Sequence, residues 1–289
     1  MDGSPGSTHA LQWAVNHVPV FGDVQPIVAW QYPWWSMGAG MGVDPLPPPP
    51  EDFAAAARAA GERALETIDR AHVAPAIVCR SNAGPALVEF GASAQLIVVG
   101  TRGHGALVGS LLGSVSSHVV AHARTPVAVI PETAPTDDFT RRTASSVVVG
   151  IDGSENAGAA LRWAIQTLPA STSIIAVHAW GGTIITTPEA ISLPFDAFEE
   201  QARITLDESV ERALAAAGVE ATTNVSRMLT FGEPRSILRE EAAKADALVL
   251  GARGHSGFVH LLLGSVTTGL IHHPNTVTFV VPAAAKAAS

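Results

Sequence analysis

The feature that most constrains the fold of this chain is an internal repeat. The segment "DGSPGSTHALQWAV", which begins at Asp2, recurs as "DGSENAGAALRWAI" from Asp152. A second segment, "VVGTRGHGALVGSLLGSVSSHVVAH", recurs as "VLGARGHSGFVHLLLGSVTTGLIHH", with Gly100 matching Gly251. The two offsets are 150 and 151 residues, so nearly one spacing relates both pairs. The chain is therefore interpreted as a tandem duplication of one structural unit.

The length agrees with two units. A chain of 289 residues exceeds the usual size of one domain, and each half is long enough to bury its own core. The joint falls in "PETAPTDDFTRRTASS", Pro131 to Ser146, where no apolar periodicity is found. We expect one domain over residues 1–132 and a second over residues 145–284.

Charge and cysteine content exclude several classes of protein. The net charge of −9 argues against non-specific nucleic-acid binding, which needs a basic face. Cys79 is the single cysteine, so no disulfide can form within the chain, and we expect a core residue in a cytoplasmic protein. No apolar run is long enough to span a membrane, and the first residues do not have the pattern of a secretion signal.

Short apolar runs alternate with helical patterns in the second copy. Strands are predicted at Ser145 to Ile151, Ser173 to Trp180, Ala221 to Leu229, Ala247 to Gly251 and Thr276 to Pro282. Helices are predicted at Ala157 to Thr167, Ala197 to Ala217, Pro234 to Lys244 and Ser265 to His272. Strands that are apolar on both faces indicate a parallel sheet with helices on each side, so each unit should be a doubly wound α/β domain.

The loops after the strands contain the strongest site pattern. Ligands of doubly wound sheets bind beyond the carboxyl ends of the strands. After the fourth strand of each copy comes Gly-x-x-Gly, nine residues, then Gly-Ser. The residues are Gly100, Gly103, Gly113 and Ser114, and again Gly251, Gly254, Gly264 and Ser265.

This spacing suits a polyphosphate. Glycines let an anion approach the main-chain amides, and Gly-Ser opens a helix whose free N–H groups favour phosphate. The serine hydroxyl is expected to cap that helix. The alternative is that the glycines form tight turns and the serines only cap helices, but recurrence of the spacing in both copies favours phosphate binding. The pattern is neither a Walker A loop nor the dinucleotide fingerprint.

These residues resemble the universal stress protein family, in the tandem ATP-binding type found among its mycobacterial and other actinobacterial members. The resemblance implies two Rossmann-like domains, similar to adenine nucleotide alpha hydrolases, each with a five-stranded parallel sheet. It also implies ATP and Mg²⁺ as cofactors, with Asp152 as the nearest metal-binding carboxylate. The adenine edge would be read by main chain at Ala179 and Ala29.

The remaining residues of the implied nucleotide sites follow by position in the two copies. In the second copy they are Asp152, Gly153, Ser154, Gly251, Arg253, Gly254, His255, Gly264, Ser265, Val266 and Thr267. In the first copy they are Asp2, Gly100, Arg102, Gly103, His104, Gly113, Ser114, Val115 and Ser116. Asp152 could instead be a plain turn residue, and His255 a solvated loop residue.

The first copy departs from the pattern at its start. Nothing ahead of Asp2 corresponds to "SSVVVGI", so the first unit should lack its central N-terminal strand. Either translation starts upstream of this Met1, or the first domain is damaged and is supported by the second. Gln95 also stands where the second copy has Asp246.

Two further segments bear on partners. The family often pairs fifth strands between domains or subunits, which implies a homodimer or a pseudo-dimer of the two halves. Pro126 of the first copy is replaced by Val277, so that edge could pair differently. The loop from Gln31 to Asp52 contains four consecutive prolines, which could bind an aromatic-lined partner or cover the nucleotide entrance.

The function expected from the sequence is regulatory ATP binding. No general base or catalytic lysine is evident, so turnover is limited to slow hydrolysis or autophosphorylation at Ser114, Ser265 or Thr267. The alternatives are an adenylyl-transferring enzyme and a scaffold without nucleotide. Trp13 and Trp163 are expected in the core, and His118, His122, His272 and His273 at helix ends rather than in a metal site.

Overall fold

The second copy folds into the alternating strands and helices that its sequence predicts. The computed structural model describes residues 1–31, 49–66, 68–101, 103, 112–138, 145–181, 195–218, 224–254 and 263–283. The second copy contains β5 Ser146–Gly150, α6 Glu155–Thr167, β6 Ser173–Gly181, α7 Phe195–Ala217, β7 Val225–Gly232, α8 Pro234–Ala242, β8 Ala247–Gly251, α9 Ser265–Ile271 and β9 Val277–Val281. The predicted third strand, Ala221 to Leu229, is displaced: β7 begins at Val225 and continues to Gly232.

The strands of this copy form a parallel sheet in the order β7-β6-β5-β8-β9. The central strand β5 is apolar on both faces because both are covered. Val147 and Val149 pack in one buried cluster with α6 and α7, while Val148 packs in another with α8 and α9. This arrangement confirms the doubly wound α/β architecture.

The first copy contains the corresponding elements without the first strand. They are α1 Pro5–Asn16, α2 Val18–Phe21, β1 Ile27–Trp30, α3 Pro50–Leu65, β2 Ile77–Arg80, α4 Ala83–Phe90, β3 Ile97–Gly100, α5 Ser114–His122 and β4 Val127–Ile130. Within the described residues β1 and β2 form a separate two-stranded parallel sheet, while β3 and β4 belong to a larger one. The sheet is divided where the second copy has β5.

The two copies share one sheet through their last strands. β4 pairs with β9 in antiparallel fashion, with Val127 opposite Val280 and Val129 opposite Thr278. Among the described residues the result is a seven-stranded sheet in the order β3-β4-β9-β8-β5-β6-β7. The replacement of Pro126 by Val277 therefore does not prevent pairing of the two fifth strands.

An aromatic cluster packs where the copies meet. Trp13 and Trp163, which occupy matching places in α1 and α6, lie 6.0 and 5.1 Å from Phe279, measured between ring centroids. Phe21 stacks on Trp163 at 6.3 Å. Trp13 is 0% and Trp163 3% exposed, which confirms their prediction as core residues.

The structure bears on two predictions from the sequence, one about the single cysteine and one about membrane-spanning segments. The prediction of Cys79 as a core residue is wrong, because it lies in β2 and is only half-buried. Desolvation by burial, and after it the nearby Glu89 charge, raises the pKa of its thiol. Both effects oppose the reactive thiolate form. Among the described helices, none has the length and apolar content that a bilayer crossing requires.

Candidate functional site

The candidate site lies at the carboxyl ends of β5 and β8, two neighbouring parallel strands. The strand order reverses at β5, because β6 follows it on one side and β8 on the other. Open α/β sheets bind ligands at this position. The loops after both strands contain the residues that the sequence singles out.

Asp152 is fixed by the turn that starts α6. Its Oδ1 accepts a hydrogen bond from the Ser154 amide at 2.9 Å, and Gly153 has φ +84°, a conformation that L side chains rarely adopt. Ser154 Oγ accepts from the Ala157 amide at 3.2 Å, which caps the helix. The turn and the helix cap that were the alternative interpretation of Asp152 are therefore present. They hold the exposed carboxylate at the carboxyl end of β5.

The glycine-rich loop packs directly against this turn. A Cβ at Gly254 would meet Asp152 Oδ2, and a Cβ at Gly251 would lie 2.7 Å from the Asn156 carbonyl carbon. Real Cβ atoms essentially never approach main chain that closely, so Gly251 must be glycine for the loop to pack on α6, whereas a side chain at Gly254 would displace the Asp152 carboxylate. Arg253, between them, is exposed, and its carbonyl accepts a hydrogen bond from Ser154 Oγ at 3.5 Å.

The far end of the loop returns to its beginning. The Gly264 amide donates to the Ala252 carbonyl at 2.9 Å, and Thr267 Oγ1 donates to the Gly251 carbonyl at 2.8 Å. A Cβ at Gly264 would lie 3.3 Å from the Gly254 amide nitrogen. The two glycine ends therefore lie side by side, with the first turn of α9 beside them.

One prediction about this end is wrong. The sequence predicts that the hydroxyls of Ser265 and Ser114 cap α9 and α5. The N-caps are instead Gly264 and Gly113, and neither helix start has a side-chain cap bond. The serines are the first helical residues, and Val266 and Val115 follow them in the first turn.

The first copy reproduces this geometry. Asp2 Oδ1 accepts from the Ser4 amide at 3.0 Å, and a Cβ at Gly103 would lie 2.5 Å from Asp2 Oδ2. The Gly113 amide donates to the Thr101 carbonyl at 2.7 Å. Ser116, at the position of Thr267, donates to the Gly100 carbonyl at 2.6 Å. Two sites with one construction therefore lie in one chain.

The residue ahead of each Asp-Gly-Ser turn makes the same contact in both copies. In the second copy the Ile151 amide donates to the Val177 carbonyl at 2.8 Å. In the first copy the Met1 nitrogen donates to the matching carbonyl of Ile27. The residue before Asp2 therefore occupies the position that β5 gives to Ile151.

His178 lies at the site and Asp246 at the opposite end of the same strands, and the sequence pattern assigned neither a contact. His178 Nδ1 lies 2.7 Å from the Ile151 carbonyl, which can accept only, so this ring nitrogen is the donor. Asp246 Oδ2 accepts from the Ser146 amide at 3.0 Å and fixes the start of β5. A polar residue inside or beside an apolar run was the available signal. Gln95 occupies the position of Asp246 in the first copy.

The remaining predicted residues divide into two groups. Ala179 and Ala29 lie near the carboxyl ends of β6 and β1, opposite Thr230 and Cys79 in the neighbouring strands. Arg102, His104 and His255 lie outside the described residues, as do residues 32–48 of the proline-rich loop.

The donor set at Asp152 fits a magnesium ion that a nucleotide brings with it. Mg²⁺ prefers oxygen ligands and usually binds one or two carboxylates together with phosphates. The described residues contain no group of three or more metal-binding side chains. Asp152 would thus hold such an ion jointly with phosphate oxygens rather than in a site made of protein ligands.

The model of the universal stress protein family matches residues 1–131 and 144–282. The chain belongs to the universal stress protein family. The matched segments contain both Asp-Gly-Ser turns and both glycine-rich loops.

Individual relatives support the same assignment. Universal stress protein Rv2005c of Mycobacterium tuberculosis is 34% identical over 198 residues, which cover 65% of this chain and 62% of the relative. A Mycolicibacterium smegmatis universal stress protein is 32% identical over 196 residues, 68% of this chain and 64% of its own length. The matches thus span less than two thirds of these curated relatives.

One solved structure shows the same fold over nearly the whole chain, and a second is similar in sequence over half of it. A universal stress protein from Archaeoglobus fulgidus has a TM-score of 0.61 at 18% identity and covers 98% of this chain and 94% of its own. A universal stress protein in complex with cAMP is 30% identical, covers 49% of this chain and 99% of its own, and has a TM-score of 0.36.

Proposed function

We propose that this universal stress protein is a regulatory ATP-binding protein, with one nucleotide site at each Asp-Gly-Ser turn. The observation that supports the proposal is the contact between the glycine-rich loop and the aspartate in both copies. Gly254 lies against Asp152, and Gly103 lies against Asp2. Glycine amides with a carboxylate beside them form a pair suited to a phosphate chain and its Mg²⁺.

Each part of the site would have a separate task. The amides around Gly254 and Gly264 would bind the phosphates, and the first turn of α9 would add its free N–H groups. Asp152 would hold Mg²⁺, which neutralises phosphate charge when it is bound. Main chain at the end of β6, near Ala179, would read the adenine edge.

The proposal is binding rather than rapid turnover. Thr267 and Ser116 already donate their hydroxyls to main-chain carbonyls, so they stabilise the loop rather than attack a phosphate. Occupancy would instead change the conformation of the loop or the binding of a protein partner. We place this function in the cytoplasm because the single cysteine matches a reducing compartment.

Isothermal titration with ATP and Mg²⁺ tests the proposal. The variants Gly264→Val and Gly113→Val put a side chain into the space where the ends of each loop meet, so each should remove binding to its own copy. Gly158→Ala is the matched control, because a Cβ at Gly158 in α6 would meet nothing within 4 Å. It should bind like the parent.

Three outcomes would contradict the proposal. The first is no ATP binding by the parent protein, and the second is unchanged binding by both valine variants with intact circular dichroism spectra. The third is rapid release of ADP, which would indicate an enzyme. The titration includes cAMP, the ligand of one solved relative. Binding of cAMP in place of ATP would overturn the assignment of the nucleotide.

A further inference from the structure

A second group of cationic and hydroxyl side chains lies in a cleft between α8 and α9. The cleft has a volume of about 910 Å³, and Arg235, Arg239, Ser265, Thr268, Gly269 and His272 contribute to its walls. Ser265 also belongs to the proposed nucleotide site, whereas the other five residues lie outside the glycine-rich loop. None of the described lining residues is acidic, although the chain has a net charge of −9.

The two arginines face the cleft with few partners. They are four residues apart, which places them on one face of α8. Arg235 pairs with Glu233 through Nε at 3.4 Å and remains 50% exposed. Arg239 donates to the Gly269 carbonyl at 3.5 Å, and among the described residues no carboxylate forms an ion pair with it. Two adjacent guanidinium groups therefore retain most of their donors for a ligand.

The opposite wall adds hydroxyl groups. Ser265 and Thr268 lie one helical turn apart on α9, and within the described part of the chain neither hydroxyl has a hydrogen-bond partner. Gly269 makes room for the arginines, because a Cβ there would lie 2.5 Å from Arg235 Cδ. The neighbouring Thr267 points the other way, toward the Gly251 carbonyl.

The first copy shows that the fold does not require these arginines. The positions 151 residues earlier are Gly84 and Val88 in α4. A Cβ at Gly84 would lie 2.8 Å from the His118 ring, so α4 packs closely on α5 where the second copy has the cleft. The α/β unit thus forms with or without the cationic pair.

We propose that this cleft is an anion site that binds the phosphate chain of a small polyphosphate. Guanidinium groups bind phosphate oxygens through paired N–H donors, and hydroxyls supply further donors of the correct type. A phosphate chain can contact both arginines at once, which also relieves the repulsion between them. The site does not depend on ATP binding at the glycine-rich loop.

Titration of the full-length protein with inorganic pyrophosphate at low ionic strength tests this assignment. We expect the double variant Arg235→Gln with Arg239→Gln to weaken binding by roughly tenfold or more, because each charged hydrogen bond contributes strongly. The matched control is Arg203→Gln with Arg212→Gln, which removes the same charge from α7 on the opposite face of the sheet. The control should change the dissociation constant by less than about twofold.

Amide chemical shifts locate the bound anion. Pyrophosphate should shift the amides of Thr268 and Gly269 in the parent protein and in the control. The assignment is overturned if the parent does not bind pyrophosphate, or if the Arg235 and Arg239 double variant binds it equally well. Shifts confined to Gly251 to Gly254 would overturn it as well.

A parallel titration with ATP separates this site from the proposed nucleotide sites. The arginine double variant should keep its ATP affinity, whereas Gly264→Val should lose ATP at the second copy and keep pyrophosphate binding. Loss of both ligands in Gly264→Val with a retained fold would place pyrophosphate in the glycine-rich loop and overturn the cleft assignment. Failure of ATP binding alone would contradict the proposed function and leave the cleft result intact.

Discussion

One side chain, Glu233, makes the stability of the start of α8 depend on pH. Glu233 caps α8 by accepting from the Ser236 amide at 2.7 Å and from its hydroxyl at 2.9 Å. Desolvation raises the pKa of Glu233, but hydrogen bonds from Arg235 and Ser236, with the Arg235 charge, bring it below the ordinary glutamate value. The ionised form is therefore the one that stabilises the fold.

Glu233→Gln should reduce the free energy of unfolding by about 0.5–1 kcal/mol at neutral pH. Because the folded pKa is depressed, the advantage of the parent is present above the unfolded pKa and is lost as pH falls through the folded one. Urea unfolding at several pH values checks this. Glu240→Gln on the same helix is the control, since Glu240 contacts Lys244 at the surface. A difference in the free energy of unfolding between the parent and Glu233→Gln that persists unchanged at acid pH contradicts the prediction.

Also at the residue scale, sequence patterns predicted the positions of the important residues better than the role of each residue. The glycine spacing located Gly251, Gly254 and Gly264, where the chain packs closely: a Cβ would meet main chain at 2.7 Å at Gly251 and at 3.3 Å at Gly264, and the Asp152 carboxylate at Gly254. The role of Ser265 was predicted wrongly, since a start of Gly-Ser does not show which residue becomes the N-cap. His178 was not predicted, because its bond to Ile151 joins two strands whose pairing a single pattern does not reveal.

At the scale of elements, the most unusual feature is the isolated pair β1 and β2. A two-stranded sheet is marginal by itself, and this one depends on α3, α4 and the cluster of Leu11, Leu65 and Ile68. The strands of the second copy belong instead to a continuous sheet. The two parts of the first copy should therefore differ in local stability.

Hydrogen exchange followed by mass spectrometry should show this difference. The amides of Ile27–Trp30 should exchange faster than those of β5, because within the described part of the chain β1 has β2 as its one partner strand, while β5 has a partner strand on each edge. The strand β3 should be intermediate, since it ends the larger sheet but remains joined to β4. Equal protection of β1 and β5 would contradict this expectation.

Element types were predictable from periodicity, whereas the extent of β7 was not. Apolar runs end in sequence where polar residues begin, yet β7 continues to Gly232 because β6 supplies a partner up to Gly181. Strand length thus depends on a neighbour distant in sequence. The absence of a strand before Asp2 in this sequence was apparent from the repeat itself, because the second copy provided the comparison.

At the scale of the whole molecule, Phe279 links the two copies. It is 0% exposed and contacts Trp13 of the first copy and Trp163 of the second. Phe279→Ala should reduce the free energy of unfolding by about 3–5 kcal/mol, because it opens a cavity between two tryptophans. Urea unfolding followed by tryptophan fluorescence measures this. Phe231→Ala is the control, because that ring is 43% exposed and its removal should reduce the free energy of unfolding much less. Similar losses in both variants would show that Phe279 has no special part in the joint.

The pairing of β4 with β9 has a consequence for how copies of this protein can meet. In each half the outer edge of the last strand is already hydrogen-bonded to the other half of the same molecule. That edge cannot template a strand from a second chain unless the molecule opens. Self-association through continuous sheet is therefore blocked at the centre of the molecule, so association of two copies must use helix faces, loops or the strands at the ends of the sheet.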